Sequence, residues 1–100
     1  MQLFVINWLF QNAEDQLFAT KEFCGFLKEN KLNQYIEGFE LIFIAHTPQD
    51  GSGVIICNAQ NTLVLFRILK MWRENFNITF NFQPALTNED ILSSQNEECY

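Results

Sequence analysis

Phe76, Ile78, Phe80 and Phe82 alternate without a break with Asn77, Thr79, Asn81 and Gln83. Period-two alternation fits a strand that packs one face on a core and keeps the other polar; a helix could not sort these residues that way. The pattern predicts a strand over Phe76–Gln83, stopped by Pro84, which has no amide hydrogen to continue a ladder. A half-buried strand cannot stand alone, so the rest of the chain must supply a sheet and a layer to cover it.

The other segments supply both. Leu3–Phe10 is apolar except for Asn7, as expected of a central strand covered on both faces. Asn12 is placed to cap a helix that runs to about Glu29, with Glu14 and Asp15 at its positive end. Its apolar face gathers Leu17, Ala19, Phe23, Cys24, Phe26 and Leu27, leaving Phe18 among the charged residues as an exposed aromatic. The polar stretch Glu29–Glu37 reads as a connection. Gly38–Thr47 is a second strand, Pro48–Gly53 a turn-rich hairpin loop, and Val54–Asn58 a third strand. Gln60–Glu74 is a second helix, with Val64, Leu65, Ile68, Leu69, Met71 and Trp72 inward.

Strand, helix, strand, strand, helix, strand is the order of two split βαβ halves. The predicted fold class is therefore α+β: a ferredoxin-like βαββαβ sandwich, with a four-stranded antiparallel sheet and two helices on one face. Residues 1–88 form one domain, and residues 89–100 an acidic C-terminal tail that starts as a short helix at Asn88–Leu92. The other sheet face is left open. Strict alternation gives it Leu3, Val5, Asn7 and Leu9 from the first strand, and Glu40, Ile42, Ile44 and His46 from the second. Val54, Ile56 and Asn58 come from the third, and Asn77, Thr79, Asn81 and Gln83 from the fourth. Such a mixed apolar face marks an interface. Two sheets packed face to face would make a homodimer of the dimeric α+β barrel kind, with Leu3, Val5, Ile42, Ile44, Val54 and Ile56 as its interface.

Twelve acidic against six basic residues give a net charge of −6, which disfavours nucleic acid and anionic membranes as partners. No apolar run approaches the ~18 residues that span a bilayer. Met1–Ile6 has no basic segment before it and reads as a strand rather than a signal peptide. Cys24, Cys57 and Cys99 lack CxxC spacing and are odd in number, which predicts reduced thiols in the cytoplasm and no zinc site. Cys24 and Cys57 are expected in the core.

Several groups invite a chemical reading. His46, the one histidine, beside the Pro48–Gly53 loop, is the candidate general base; a solvated or hydrogen-bonded histidine is the plain alternative. Glu40 lies six residues away, roughly 20 Å along a strand, too far for a dyad within one chain. Asn7, His46, Asn58, Asn77, Thr79 and Asn81 are the candidate ligand-binding groups, against the reading that they are the wet side of a sheet. Leu63, Phe66, Arg67, Lys70 and Arg73 form a candidate partner surface that an acidic protein or the acidic tail could meet, against a solvated helix face. Gly51-Ser52-Gly53 joins two strands with no lysine after it, so the phosphate-loop mechanism is missing. No cofactor or metal is expected.

The segments Met1–Trp8, Glu37–Ile42, Ala45–Gly53 and Met71–Arg73, followed by Phe76–Phe80 and Pro84–Thr87, resemble domain-of-unknown-function family 3303, short proteins of cyanobacteria and cyanophages. The resemblance covers most of residues 1–90. It implies a small ferredoxin-like protein related to dimeric α+β barrels, and it supplies neither an activity nor catalytic residues. The functional expectation is a cytoplasmic, homodimeric module that binds a small ligand or a protein. The alternative is a cofactor-free monooxygenase- or isomerase-like enzyme, with His46 as base and Asn7 or Asn81 orienting the substrate. An enzyme of that kind needs an enclosed cavity of a few hundred Å³ reached by His46.

Overall fold

The computed structural model describes residues 1–28 and 37–98. Its elements are β1 (Gln2–Phe10), α1 (Ala13–Lys28), β2 (Phe39–Thr47), a 3-10 turn (Pro48–Asp50), β3 (Ser52–Ala59), α2 (Thr62–Phe76), β4 (Ile78–Pro84) and α3 (Asn88–Glu98). The fold is α+β, with one four-stranded antiparallel sheet in the order β2-β3-β1-β4. The polar connection expected over 29–37 falls almost wholly outside the described residues.

Local chemistry sets the ends of these elements. Asn12 caps α1, its Oδ1 accepting the Asp15 amide at 2.9 Å. Asn61 caps α2 in the same way, accepting from the Val64 amide at 3.0 Å. The hairpin closes through Gly51, whose φ of 67° is left-handed, and whose carbonyl accepts the Phe10 amide at 2.8 Å. Thr87 and Asp90 form a reciprocal box at the start of α3, each side chain accepting the other's amide, at 3.0 and 3.1 Å.

The core follows from the strand period. Phe4, Ile6 and Trp8 alternate inward along β1 and are buried. Across the ladder they face Cys57, Ile55 and Gly53 of β3, and Pro84, Phe82 and Phe80 of β4. Leu65 and Leu69 of α2 close over Phe4, Ile6, Cys57 and Ala59. Each large side chain buried here contributes roughly 1.5–3 kcal/mol. Ala19 of α1 is also buried, and its small side chain suits a close approach of α1 to the sheet.

The structure departs from the sequence expectations at identifiable places. In β2, Leu41 pairs with Cys57 but Phe43 pairs with Ile56, so a β-bulge inserts one residue at Ile42. Beyond the bulge the phase reverses. Ile44 and His46, expected on the open face, turn to the helix-covered face, opposite Ile55 and Gly53. Phe43 takes a place on the open face, and Ile42 and Phe43 are both about half exposed. Asn77 is not a strand residue: α2 runs on to Phe76, and Asn77 ends it at φ 49°, ψ 46°, with its Nδ2 donating to Asp15 Oδ2 at 3.0 Å. Cys24 is exposed rather than in the core, and Leu17 and Met71 are exposed too. Phe18 is exposed as expected and leans on Phe76, with ring centroids 5.7 Å apart. The tail helix extends beyond Leu92 to Glu98.

Among the described residues, no helix is long and apolar enough to cross a membrane, and no group of three His, Cys, Asp or Glu side chains could hold a metal ion.

Candidate functional site

One row of cross-strand partners builds the site. Gly53 of β3 pairs with Trp8 of β1 on one side and with His46 of β2 on the other, and Trp8 pairs onward with Phe80 of β4. All four positions face the helices. Gly53 has no side chain, so the indole lies across the β3 backbone. A Cβ on Gly53 would overlap Cζ2 and Cη2 of Trp8 and sit 2.6 Å from its Cε2. The vacant position lets Trp8 meet His46 although a whole strand separates them. Their ring centroids are 5.3 Å apart, and the planes cross at 71°. This edge-to-face geometry sets the positive edge of one ring against the negative face of the other. Phe23 of α1 closes on His46 from above at 5.0 Å and 59°.

Around this row lies a half-open cleft of about 100 Å³. Trp8 and Phe10 line it from β1, Ile44 and His46 from β2, and Ile78 and Phe80 from the start of β4. Ala19, Thr20 and Phe23 of α1 and Trp72 of α2 complete the wall. The lining is mostly apolar. The Thr20 hydroxyl donates to the Gln16 carbonyl at 2.7 Å, which leaves its lone pairs available. Nothing among the described residues hydrogen-bonds the His46 imidazole, and the residue is exposed at the cleft wall. The imidazole can therefore accept or donate one hydrogen bond to whatever sits there.

The remaining candidates lie elsewhere. Asn7, Asn58, Thr79 and Asn81 are on the open face, the opposite side of the sheet from His46. Asn7 pairs directly with Asn81, Asn58 with Leu3 and Glu40, and Thr79 accepts a hydrogen bond from Gln11 Nε2 at 2.8 Å. The sheet thus separates His46 from both amides that would have oriented a substrate for it in the same chain. Leu3, Val5, Val54 and Ile56 share the open face with these amides and are partly buried, whereas Ile44 lines the cleft. Leu63, Phe66, Arg67, Lys70 and Arg73 sit together on the outer side of α2, all exposed.

Sequence reasoning missed Trp8, Phe23 and Trp72 as site residues, reading them as core. Gly53 would have been a signal only as a strand glycine, where something approaches the backbone closely; the turn formers around it put it at the end of the hairpin loop, whereas β3 begins at Ser52.

The family model described as "Domain of unknown function (DUF3303)" matches residues 2–97. No curated protein and no solved structure matches the chain.

Proposed function

The chain belongs to the DUF3303 family, and we propose that this member is a small-ligand-binding protein whose site is the aromatic cleft between α1 and the sheet. The observation that carries this reading is the Trp8–His46–Phe23 cluster at the wall of an apolar, half-open space. Its volume of about 100 Å³ is well below the 300–1,000 Å³ of drug-sized ligand pockets and below the ~150 Å³ of a closed cavity that takes benzene, so even one ring is seated only in part, its remainder in the open mouth of the cleft. The ligand class is therefore a single ring, seated edge-on against Trp8 and Phe23, with one polar group turned to His46. An enzymatic role is less well supported. The space is smaller than a catalytic cavity of this kind requires, and Asn7 and Asn81 are on the far face of the sheet.

The strand order β2-β3-β1-β4, with α1 and α2 on one face, supports a ferredoxin-like sandwich to which α3 is appended. The open face supports a homodimer. Its described side chains include only one charged group, Glu40, although the chain carries −6. Four strands of seven to nine residues, about 4.8 Å apart, present a flat area of roughly 500 Å². That is about two thirds of the ~800 Å² per partner of a standard interface, before side-chain relief is added. Free thiols at Cys24 and Cys57 support a reducing, cytoplasmic setting, and the resemblance noted above supports a cyanobacterial or phage origin.

Both tryptophans of the chain, Trp8 and Trp72, line the cleft, so intrinsic fluorescence reports on it directly. Titration with phenol and with toluene tests the proposal. Saturable fluorescence changes are expected for both, with phenol several-fold tighter, and the preference for phenol lost in His46→Ala. Such a preference corresponds to the ~1 kcal/mol of a typical hydrogen bond. No saturable change with either compound would overturn the reading.

A further inference from the structure

The outer side of α2 and the helix α3 match each other in chemistry. The outer side of α2 exposes Leu63 (56%) and Phe66 (44%) beside Arg67, Lys70 and Arg73, half of the six basic residues. These residues recur at spacings of three and four, so they form one continuous stripe. Among the described residues, the one ion pair on this side is Lys70–Glu74, at 3.8 Å and exposed. α3 has the opposite character. It carries acidic residues in its first turn and no basic residue, and it exposes Ile91 (48%) and Leu92 (64%) just after the exposed Leu86 (65%).

α3 is 11 residues long, below the ~12–15 residues at which an isolated helix holds in water. Its Thr87–Asp90 box fixes where it starts, but a cap of this kind contributes only about 1 kcal/mol. The helix needs a surface to pack against. It does not pack on its own α2, since the apolar residues of both are exposed. A second copy offers the same basic and apolar stripe.

We propose that α3 of one copy docks on the outer face of α2 of a second copy, with Ile91 and Leu92 against Leu63 and Phe66, and the α3 acids against Arg67 and Lys70. The contact uses neither the cleft nor the open sheet face, so it stands or falls independently of the ligand.

The test places a benzophenone amino acid at Leu92 of the full chain. Nitrogen-15-labelled and unlabelled protein are mixed and irradiated, and the linked peptides are read by mass spectrometry. The expected product joins residue 92 to a peptide of 62–76 in mixed-isotope pairs. Arg67→Glu with Lys70→Glu should lower its yield at least tenfold, and adding Glu89→Lys should restore much of it. Circular dichroism of each variant checks that the fold is intact. Same-isotope pairs alone would place α3 on its own chain and overturn the proposal. Links to another surface, or a yield unmoved by the charge reversal, would overturn it as well.

Discussion

Trp8 and His46 touch edge to face across a strand that contributes no side chain between them, because the residue there is Gly53. The relationship depends on three things at once. Trp8 must be an inward position of β1, β2 must carry its bulge so that His46 turns inward, and Gly53 must lack a Cβ.

The last condition is sharp. Gly53→Ala places a methyl group inside the indole, and the indole is walled by Phe80 and the helices. Overpacking of this kind costs about 1–3 kcal/mol or displaces the ring. The expected result is a lower urea midpoint with an altered Trp8 environment in fluorescence. An alanine variant as stable as the parent, with an unchanged emission spectrum, would show that the ring is not pinned there.

The two faces of β3 predict opposite outcomes for neighbouring residues. Ile55 faces inward and packs on the core, while Ile56 faces the open side opposite Val5 and Phe43. Ile55→Glu buries a charge and should abolish folding. In a background of Arg67→Glu and Lys70→Glu, which removes the α3 docking contact, Ile56→Glu should leave a folded monomer, visible by light scattering and circular dichroism. In that background, an Ile56→Glu protein that stays dimeric and equally stable would remove the open face as a dimer interface.

Much of this arrangement was legible in the residues. Asn12 announced the start of α1, and the turn formers of Pro48–Gly53 placed the hairpin; Asn61, which caps α2, falls inside the helix expected to begin at Gln60. Phe80 and Phe82 set the phase of β4. What failed did so for physical reasons. Gly38–Thr47 is rich in apolar residues on both faces, so its pattern carries no phase, and a one-residue bulge reverses the face of Ile44 and His46 unseen. Asn77 continued the polar alternation by sequence, yet it serves as the left-handed stop of α2, a role asparagine fills well. Cys24 lies on the helix half that α1 does not bury, because Ala19 and Phe23 bring that helix to the sheet along a narrow stripe.

Cys57 ties stability to pH. The side chain is fully buried, and burial pushes its thiol from 9.0 to about 11. The folded state keeps its proton where the unfolded chain loses it. Stability is therefore full below pH 9 and falls as pH rises from 9 through about 11. Unfolding curves between pH 8 and 11 should show this loss, and Cys57→Ala should flatten it while costing some baseline stability. At neutral pH an alkylating reagent should label Cys24 and spare Cys57. Equal labelling of both thiols in the native protein would contradict the burial.

His46 is the one histidine in the chain, so its two carbon-bound ring protons, on Cε1 and Cδ2, give signals that no other histidine overlaps. Following those signals by two-dimensional NMR through a phenol titration tests ring binding in the cleft most directly. A saturable shift of the His46 signals is expected, with cross-relaxation between phenol protons and the rings of Trp8 and Phe23. Stationary His46 signals, or phenol contacts confined to Leu9, Ile42 and Phe43 on the open face, would contradict ring binding in the cleft.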